Sequence, residues 1–176
     1  MRRFIAFLGG INVGGHRVTM ARVRDELSGL GFADMSTFIA SGNVFFRATG
    51  KAETLESRIE AHLAERLGWP VPTFVRTAVE IAAASALQPF GPIRDGFTHM
   101  VVFCRNTPDR AVEACSTERD RFLVHGNEVH WLIEGGVSTS GITLPRLARL
   151  VGPNTTRHAT TVAKLAAMSG DPPSDQ

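Results

Sequence analysis

The chain has 176 residues, 43% of them hydrophobic and 20% charged, with a formal net charge of +2. This composition describes a folded globular protein rather than a disordered one, long enough for one ordinary domain or two small ones. Near-neutral charge with acids and bases intermixed argues against a nucleic-acid protein working through a broad basic stripe, and no apolar run approaches a membrane span. The N-terminal MRRFIAFLGG lacks the apolar length and the cleavage site of a signal peptide, so it reads as a strand in a cytoplasmic protein. Cys104 and Cys115 have neither C-x-x-C nor metal-ligand spacing and read as reduced, buried thiols.

In chain order, Arg3 to Leu8 predicts a buried strand and Met20, Val23, Leu27 and Leu30 recur at helical spacing, with Gly31 as the stop. Met35 to Ala40 and Val44 to Arg47 read as strands joined at Ser41-Gly42-Asn43, a turn whose residues accept positive φ. Leu55, Ile59, Leu63 and Leu67 mark a second helix, ended by Gly68 and Pro70, and Val71 to Arg76 closes the unit as a strand. The order is β-α-β-β-α-β, the ferredoxin-like plan.

A helix from Val79 to Leu87 and a turn-rich linker, Gln88 to Pro92, come next. The pattern then restarts with a strand at Thr98 to Cys104, a short helix at Pro108 to Cys115, and strands at Phe122 to His125 and Val129 to Ile133 around Gly126-Asn127. Helices follow at Leu144 to Val151 and Arg157 to Met168. The fold class predicted is α+β, with two ferredoxin-like subdomains in tandem, residues 1–88 and 93–169, and a frayed polar tail at 170–176. Whether the second subdomain is complete stays open at this point.

The stretch FLGGINVGGHRVTM turns from a strand into a helix through four glycines. A phosphate-binding G-x-x-x-x-G-K-[ST] loop would need Lys and Ser/Thr where Gly15 and His16 stand. A dinucleotide G-x-G-x-x-G loop would need a glycine at Asn12. Both standard nucleotide loops are excluded. What remains is a loop whose N–H groups could line an anion site, helped by Asn12, His16 or Arg17, or a loop that uses glycine only to turn sharply. In a β-α-β-β-α-β sheet the first two strands run parallel, which brings Ser41, Gly42 and Asn43 beside Gly10, Asn12, Gly14 and Gly15. A third element is Asn154-Thr155-Thr156-Arg157-His158, where Thr155 or Thr156 reads as a helix N-cap and Arg157 falls in the first turn, against the helix dipole. An anionic ligand facing Arg157 and the threonine hydroxyls would compensate that placement.

Gly10-Ile11-Asn12-Val13-Gly14-Gly15, Ser41-Gly42-Asn43-Val44 and Thr155-Thr156-Arg157 stand in the order and spacing of the bacterial family catalogued as domain of unknown function 1697. The chain resembles that family up to about Met168. The resemblance implies two ferredoxin-like subdomains and implies no established activity. The chain departs from the family pattern at His158-Ala159-Thr160-Thr161, where Asn-Trp-Asn-Thr is usual, and near Ser138 to Gly141, where an Arg and a Lys are common. Without that tryptophan and basic pair, a stacked base or a strongly charged phosphate pocket is less well supported.

Hairpin register at Gly126-Asn127 puts His125, Glu128 and His130 on one face, opposite Phe122, Val124, Val129 and Trp131. Such a set could ligate zinc, but a solvated face of ordinary polar residues accounts for it, and no metal site is expected. Phe45 and Phe46 are expected in the core rather than on an RNA-stacking sheet. The functional expectation is a small anionic or phosphorylated ligand at the glycine-loop edge. Gly10, Gly14, Gly15 and Gly42 would give backbone contacts, Asn12, Ser41 and Asn43 would orient the ligand, the Thr155 and Thr156 hydroxyls would face it, and Arg157 would neutralise it. The alternative is a non-catalytic interaction or oligomerisation module, such as a homodimer. Neither a cofactor nor a reaction is specified by these residues.

Overall fold

The structure, a computed structural model, describes residues 1–12, 15–38 and 42–170. In chain order, β1 (Arg2–Leu8), α1 (Met20–Ser28), β2 (Ala33–Phe38), β3 (Asn43–Ala48), α2 (Ala52–Leu67) and β4 (Thr73–Thr77) come first, followed directly by α3 (Ala78–Ala86). Then come β5 (Phe97–Cys104), a 3₁₀ helix at Arg110–Cys115, β6 (Asp120–His125), β7 (Glu128–Glu134), a 3₁₀ turn at Val137–Thr139, α4 (Leu144–Val151), β8 (Asn154–His158) and α5 (Ala159–Ser169). The protein is α+β, with two four-stranded sheets ordered β2-β3-β1-β4 and β6-β7-β5-β8, every neighbouring pair antiparallel. Two compact units divide the chain: Met1–Ile81 with the segment from Ala167 onward, and Ala82–Ala166.

In the first unit, alternation sends Phe4, Ala6, Leu8, Val44 and Phe46 to one sheet face, where they pack with Val23 and Leu27 of α1 and Leu55, Ile59 and Leu63 of α2. Thr19 caps α1 by accepting from the Arg22 N–H at 3.2 Å. Gly68, in the left-handed region at φ 84°, ends α2 and donates to the Ala64 carbonyl. Ile5, Phe7, Phe45 and Phe74 point to the opposite face and are no more than 1% exposed. Burial on both faces is why β1 reads as a continuous apolar run rather than an alternating one. It also leaves Phe45 and Phe46 buried and without a face on which a base could stack.

The outer edge of β4 is closed by carboxylates. The N–H groups of Thr73, Val75 and Thr77 donate to Glu60, Glu56 and Glu80 at 2.8, 2.8 and 2.7 Å. Capping the free donors of an edge strand in this way blocks its pairing with another chain. Glu56 also lies 3.8 Å from the Arg76 guanidinium, both side chains about 5% exposed or less.

The second unit builds its core from Met100, Val102, Val112, Trp131, Ile133, Leu147 and neighbours. Buried Asp120 accepts from the Trp131 indole, the Ser140 hydroxyl and the Gly141 N–H at 2.9, 2.7 and 2.9 Å. Cys104 is buried, whereas Cys115 is only half-buried. The segment Asn154 to His158 corrects the sequence expectation. It is the fourth strand, not a capped first helical turn; Val101 pairs with Arg157 and Phe103 with Thr155, and α5 begins only at Ala159. Pairing with β5 lets Thr155 and Arg157 bury their side chains, so tertiary contacts override the local threonine capping signal. The second unit therefore has all four strands.

Matching hydrogen bonds tie both sheets at the same place. Leu8 N–H donates to the Gly42 carbonyl at 2.8 Å and Gly9 N–H to the Pro72 carbonyl at 2.7 Å. In the second unit Cys104 N–H donates to the Asn127 carbonyl at 2.9 Å and Arg105 N–H to the Pro153 carbonyl at 3.1 Å. Gly42 and Gly126 lie in the turns between second and third strands, at φ 73° and 58°. A Cβ on Gly42 would stand 2.9 Å from the Leu8 carbonyl oxygen, but one on Gly126 would meet only the Glu128 side chain, at 3.6 Å. Gly42→Ala is expected to cost about 1–3 kcal/mol in urea denaturation. Gly126→Ala should cost less, and equal losses at both sites would show that the approach to Leu8 is not the constraint.

Candidate functional site

Because β1 and β2 both run antiparallel to β3, they are parallel to one another and end on the same side of the sheet. The bonds from Leu8 to Gly42 and from Gly9 to Pro72 bring three segments to that end: the loop after β1, the turn before β3 and the approach to β4. The loop turns through left-handed backbone at Gly10, Asn12 and Gly15, with φ of 69°, 61° and 89°. Asparagine tolerates that region because its short amide bonds locally. Here Asn12 Oδ1 accepts from the Val18 N–H at 2.9 Å, pinning the loop to the start of α1 and leaving the amide NH₂ as the part able to reach a ligand. A Cβ on Gly10 or Gly15 would meet nothing within 4 Å, so the loop backbone borders open space.

His16 stacks on Trp69 with ring centroids 4.5 Å apart and planes 17° from parallel. Trp69 lies in the α2–β4 connection, so this pair joins the loop to the third segment. Its indole N–H is buried and has no hydrogen-bond partner among the described residues. Asn43 is fully buried and donates through Nδ2 to the Phe38 carbonyl at 3.1 Å, which makes it a support of the turn. Gly14 and Ser41 lie outside the described residues.

The structure thus brings Gly10, Asn12, Gly15, Gly42 and Asn43 to one end of the first sheet. Thr155, Thr156 and Arg157 belong to β8 in the second unit. Arg157 is 9% exposed, and its Nη1 donates to Thr155 Oγ1 at 2.8 Å and to the Thr156 carbonyl at 2.9 Å. Burial pulls its guanidinium down to about 10, still protonated at neutral pH. Register makes Arg157 the counterpart of Arg76, since Val101 and Ile5 hold the same position in the two sheets. Arg76 Nη1 likewise donates to the carbonyl of the residue before it, at 2.9 Å.

The face carrying His125, Glu128 and His130 is not the solvated surface expected. Glu128 is 7% exposed and His130 fully buried; only His125 is exposed. Among the described residues no group of three His, Cys, Asp or Glu could hold a metal. Instead His130 Nδ1 lies 3.0 Å from Nε2 of His99, a residue the sequence reading passed over. The signal was available: β5 alternation places His99 on the same face as Val101, and Val101 pairs with His130.

A family model described as a protein of unknown function, DUF1697, matches residues 1–130. The chain belongs to that family. It also shares its fold with the conserved bacterial protein SP0830 from Streptococcus pneumoniae, at a TM-score of 0.76 and 24% identity over 96% of this chain and 98% of that one. Among curated proteins none matches. No helix of the described residues is long and apolar enough to cross a membrane.

Burial, reinforced by His99 and His125, lowers the His130 imidazole from 6.5 to about 4, and burial also lowers His99. Between those limits the unfolded chain binds more protons at His130 than the folded one. Stability held above about pH 6.5 should therefore fall as pH drops toward 4. Urea midpoints measured from about pH 7 to 5 should decline, with a shallower slope in His130→Leu whatever its absolute stability. An equal slope in the variant would show that buried His130 does not couple protons to folding.

Proposed function

We propose that the loop end of the first sheet binds a small anionic ligand, with a phosphorylated metabolite as its natural class. The observation carrying this reading is the hydrogen bond from Val18 N–H to Asn12 Oδ1, because it occupies the acceptor of the loop's amide and leaves its donor. Left-handed Gly10 and Gly15 border open space, and exposed His16 and Arg17 follow them. Donor groups beside the Arg17 guanidinium suit an anion. No catalytic group is assigned, and the reading is one of binding. We further infer that the two units are tandem ferredoxin-like modules, supported by their shared strand order and matching end bonds. On this view Thr155, Thr156 and Arg157 serve the second module's sheet, as Arg76 serves the first.

Titrating the ¹⁵N-labelled chain with inorganic phosphate and then pyrophosphate should move the amide resonances of Gly10, Asn12 and Gly15. Arg17→Glu, at an exposed position, should weaken binding by about 1 kcal/mol, roughly fivefold, without changing the melting temperature. Resonances that stay in place, or affinity unchanged in the variant, would remove the anion assignment.

A second reading, an interaction module that pairs through a sheet edge, rests on β8. The ladder directs the Thr155 and Arg157 N–H groups toward β5 and leaves those of Thr156 and His158 outward, with no side-chain acceptor on them among the described residues. Where β4 has Glu80, β8 has Thr161 three residues after His158. An edge of this kind can pair with its own copy. Sedimentation across a concentration series should then show a dimer that Thr156→Pro abolishes while the monomer stays folded, since that N–H makes no ladder bond. A chain that remains monomeric throughout the series rules this reading out.

A further inference from the structure

A pocket of about 280 Å³ opens wholly within the second unit, between the end of α3, the following linker, β5 and α5. Leu87, Phe90, Val101, Val162 and Ala163 give it mainly apolar walls, and His99 is its one imidazole. Phe90 is held in place from two sides. Its ring meets His99 edge-on with centroids 5.5 Å apart, and the Arg121 guanidinium lies 5.2 Å from its centre.

Behind that wall, His99 Nε2 lies 3.0 Å from His130 Nδ1, so one of the two carries the shared proton. His130 Nε2 decides which one. It is buried and has no partner among the described residues. An orphaned N–H there would be a stranded donor, whereas a bare lone pair is the cheaper group to leave unpaired, because His130 then spends its only N–H on His99. His130 Nδ1 is therefore the donor and His99 Nε2 the acceptor. A neutral His99 must then carry its own proton on Nδ1, which has no partner among the described residues. Burial keeps both rings on the neutral side.

We propose that this pocket is a binding site for a small uncharged carbonyl compound with an apolar body, its oxygen accepting from His99 Nδ1–H. A neutral donor in apolar walls favours a neutral acceptor over an ion, whose desolvation nothing here offsets. The volume lies just below the usual range for small-molecule sites, roughly 300–1,000 Å³, which suits a single ring or a short chain. His130 is a positioning residue: it fixes the tautomer through which His99 donates.

Acetophenone and ethylbenzene, nearly equal in shape and differing in the carbonyl, separate this site from a merely greasy cleft. In the full-length ¹⁵N-labelled chain, acetophenone should shift the His99 ring-nitrogen resonances and bind about tenfold more tightly than ethylbenzene, as one hydrogen bond allows. His99→Leu should remove the preference while ethylbenzene still binds. Ala163→Trp, at an exposed wall position, should abolish both without unfolding the protein. Equal affinity for the two compounds, a preference that survives in His99→Leu, or no response of His99 to saturating acetophenone would each overturn the proposal.

Discussion

The architecture depends on how the first strand of each sheet ends. A backbone N–H that leaves a ladder must still find an acceptor. At the end of β1 two consecutive donors are satisfied by different partners, Leu8 by the Gly42 carbonyl and Gly9 by the Pro72 carbonyl. These bonds fix the turn before β3 and the approach to β4 against the point where the glycine loop departs. The requirement for glycine at position 42 follows, since a Cβ there would press on the carbonyl of Leu8. Cys104 and Arg105 repeat the arrangement with Asn127 and Pro153, so one solution to the same backbone problem organises both units.

On that shared frame the two fourth strands carry different chemistry. Each holds a buried arginine that donates to the carbonyl just before it. In β4 the arginine lies against buried Glu56, whose carboxylate also accepts from Val75 N–H, so one group balances a buried charge and helps close the edge. Removing one member of such a pair would leave an uncompensated charge, which makes Arg76 and Glu56 interdependent. In β8 the Arg157 guanidinium donates to, among others, a threonine hydroxyl and a carbonyl, and among the described residues no carboxylate meets the outward N–H groups of Thr156 and His158.

Chemistry is likewise divided between the units. The loop end of the first sheet presents donors around a left-handed turn, with an indole N–H beneath His16 that has no partner among the described residues. The second sheet buries His130 beside half-buried His99 on the face away from its helix-packed core. Their neutrality is enforced by desolvation, and their mutual hydrogen bond turns an otherwise costly burial into a fixed orientation of His99.

The sequence by itself determined the local elements: apolar spacing in α2 at Leu55, Ile59, Leu63 and Leu67, the turns at Gly42 and Gly126, and the order of strands and helices down to β7. These were legible because residues near in sequence create periodicity and turn chemistry. The meeting of the glycine loop with the turn at Gly42 was legible too, because parallel strands follow from connection order alone. Three things were not. Asn154 to His158 carries a capping signal, and only pairing with β5 makes it a strand, since a five-residue segment is too short for its own pattern to outweigh a tertiary ladder. The equivalence of Arg76 and Arg157 rests on register, which no spacing along the chain reveals. The face of His130 could be assigned from alternation, but whether that face meets water is decided by everything packed around it, and burial is the property that made His130 neutral and joined it to His99.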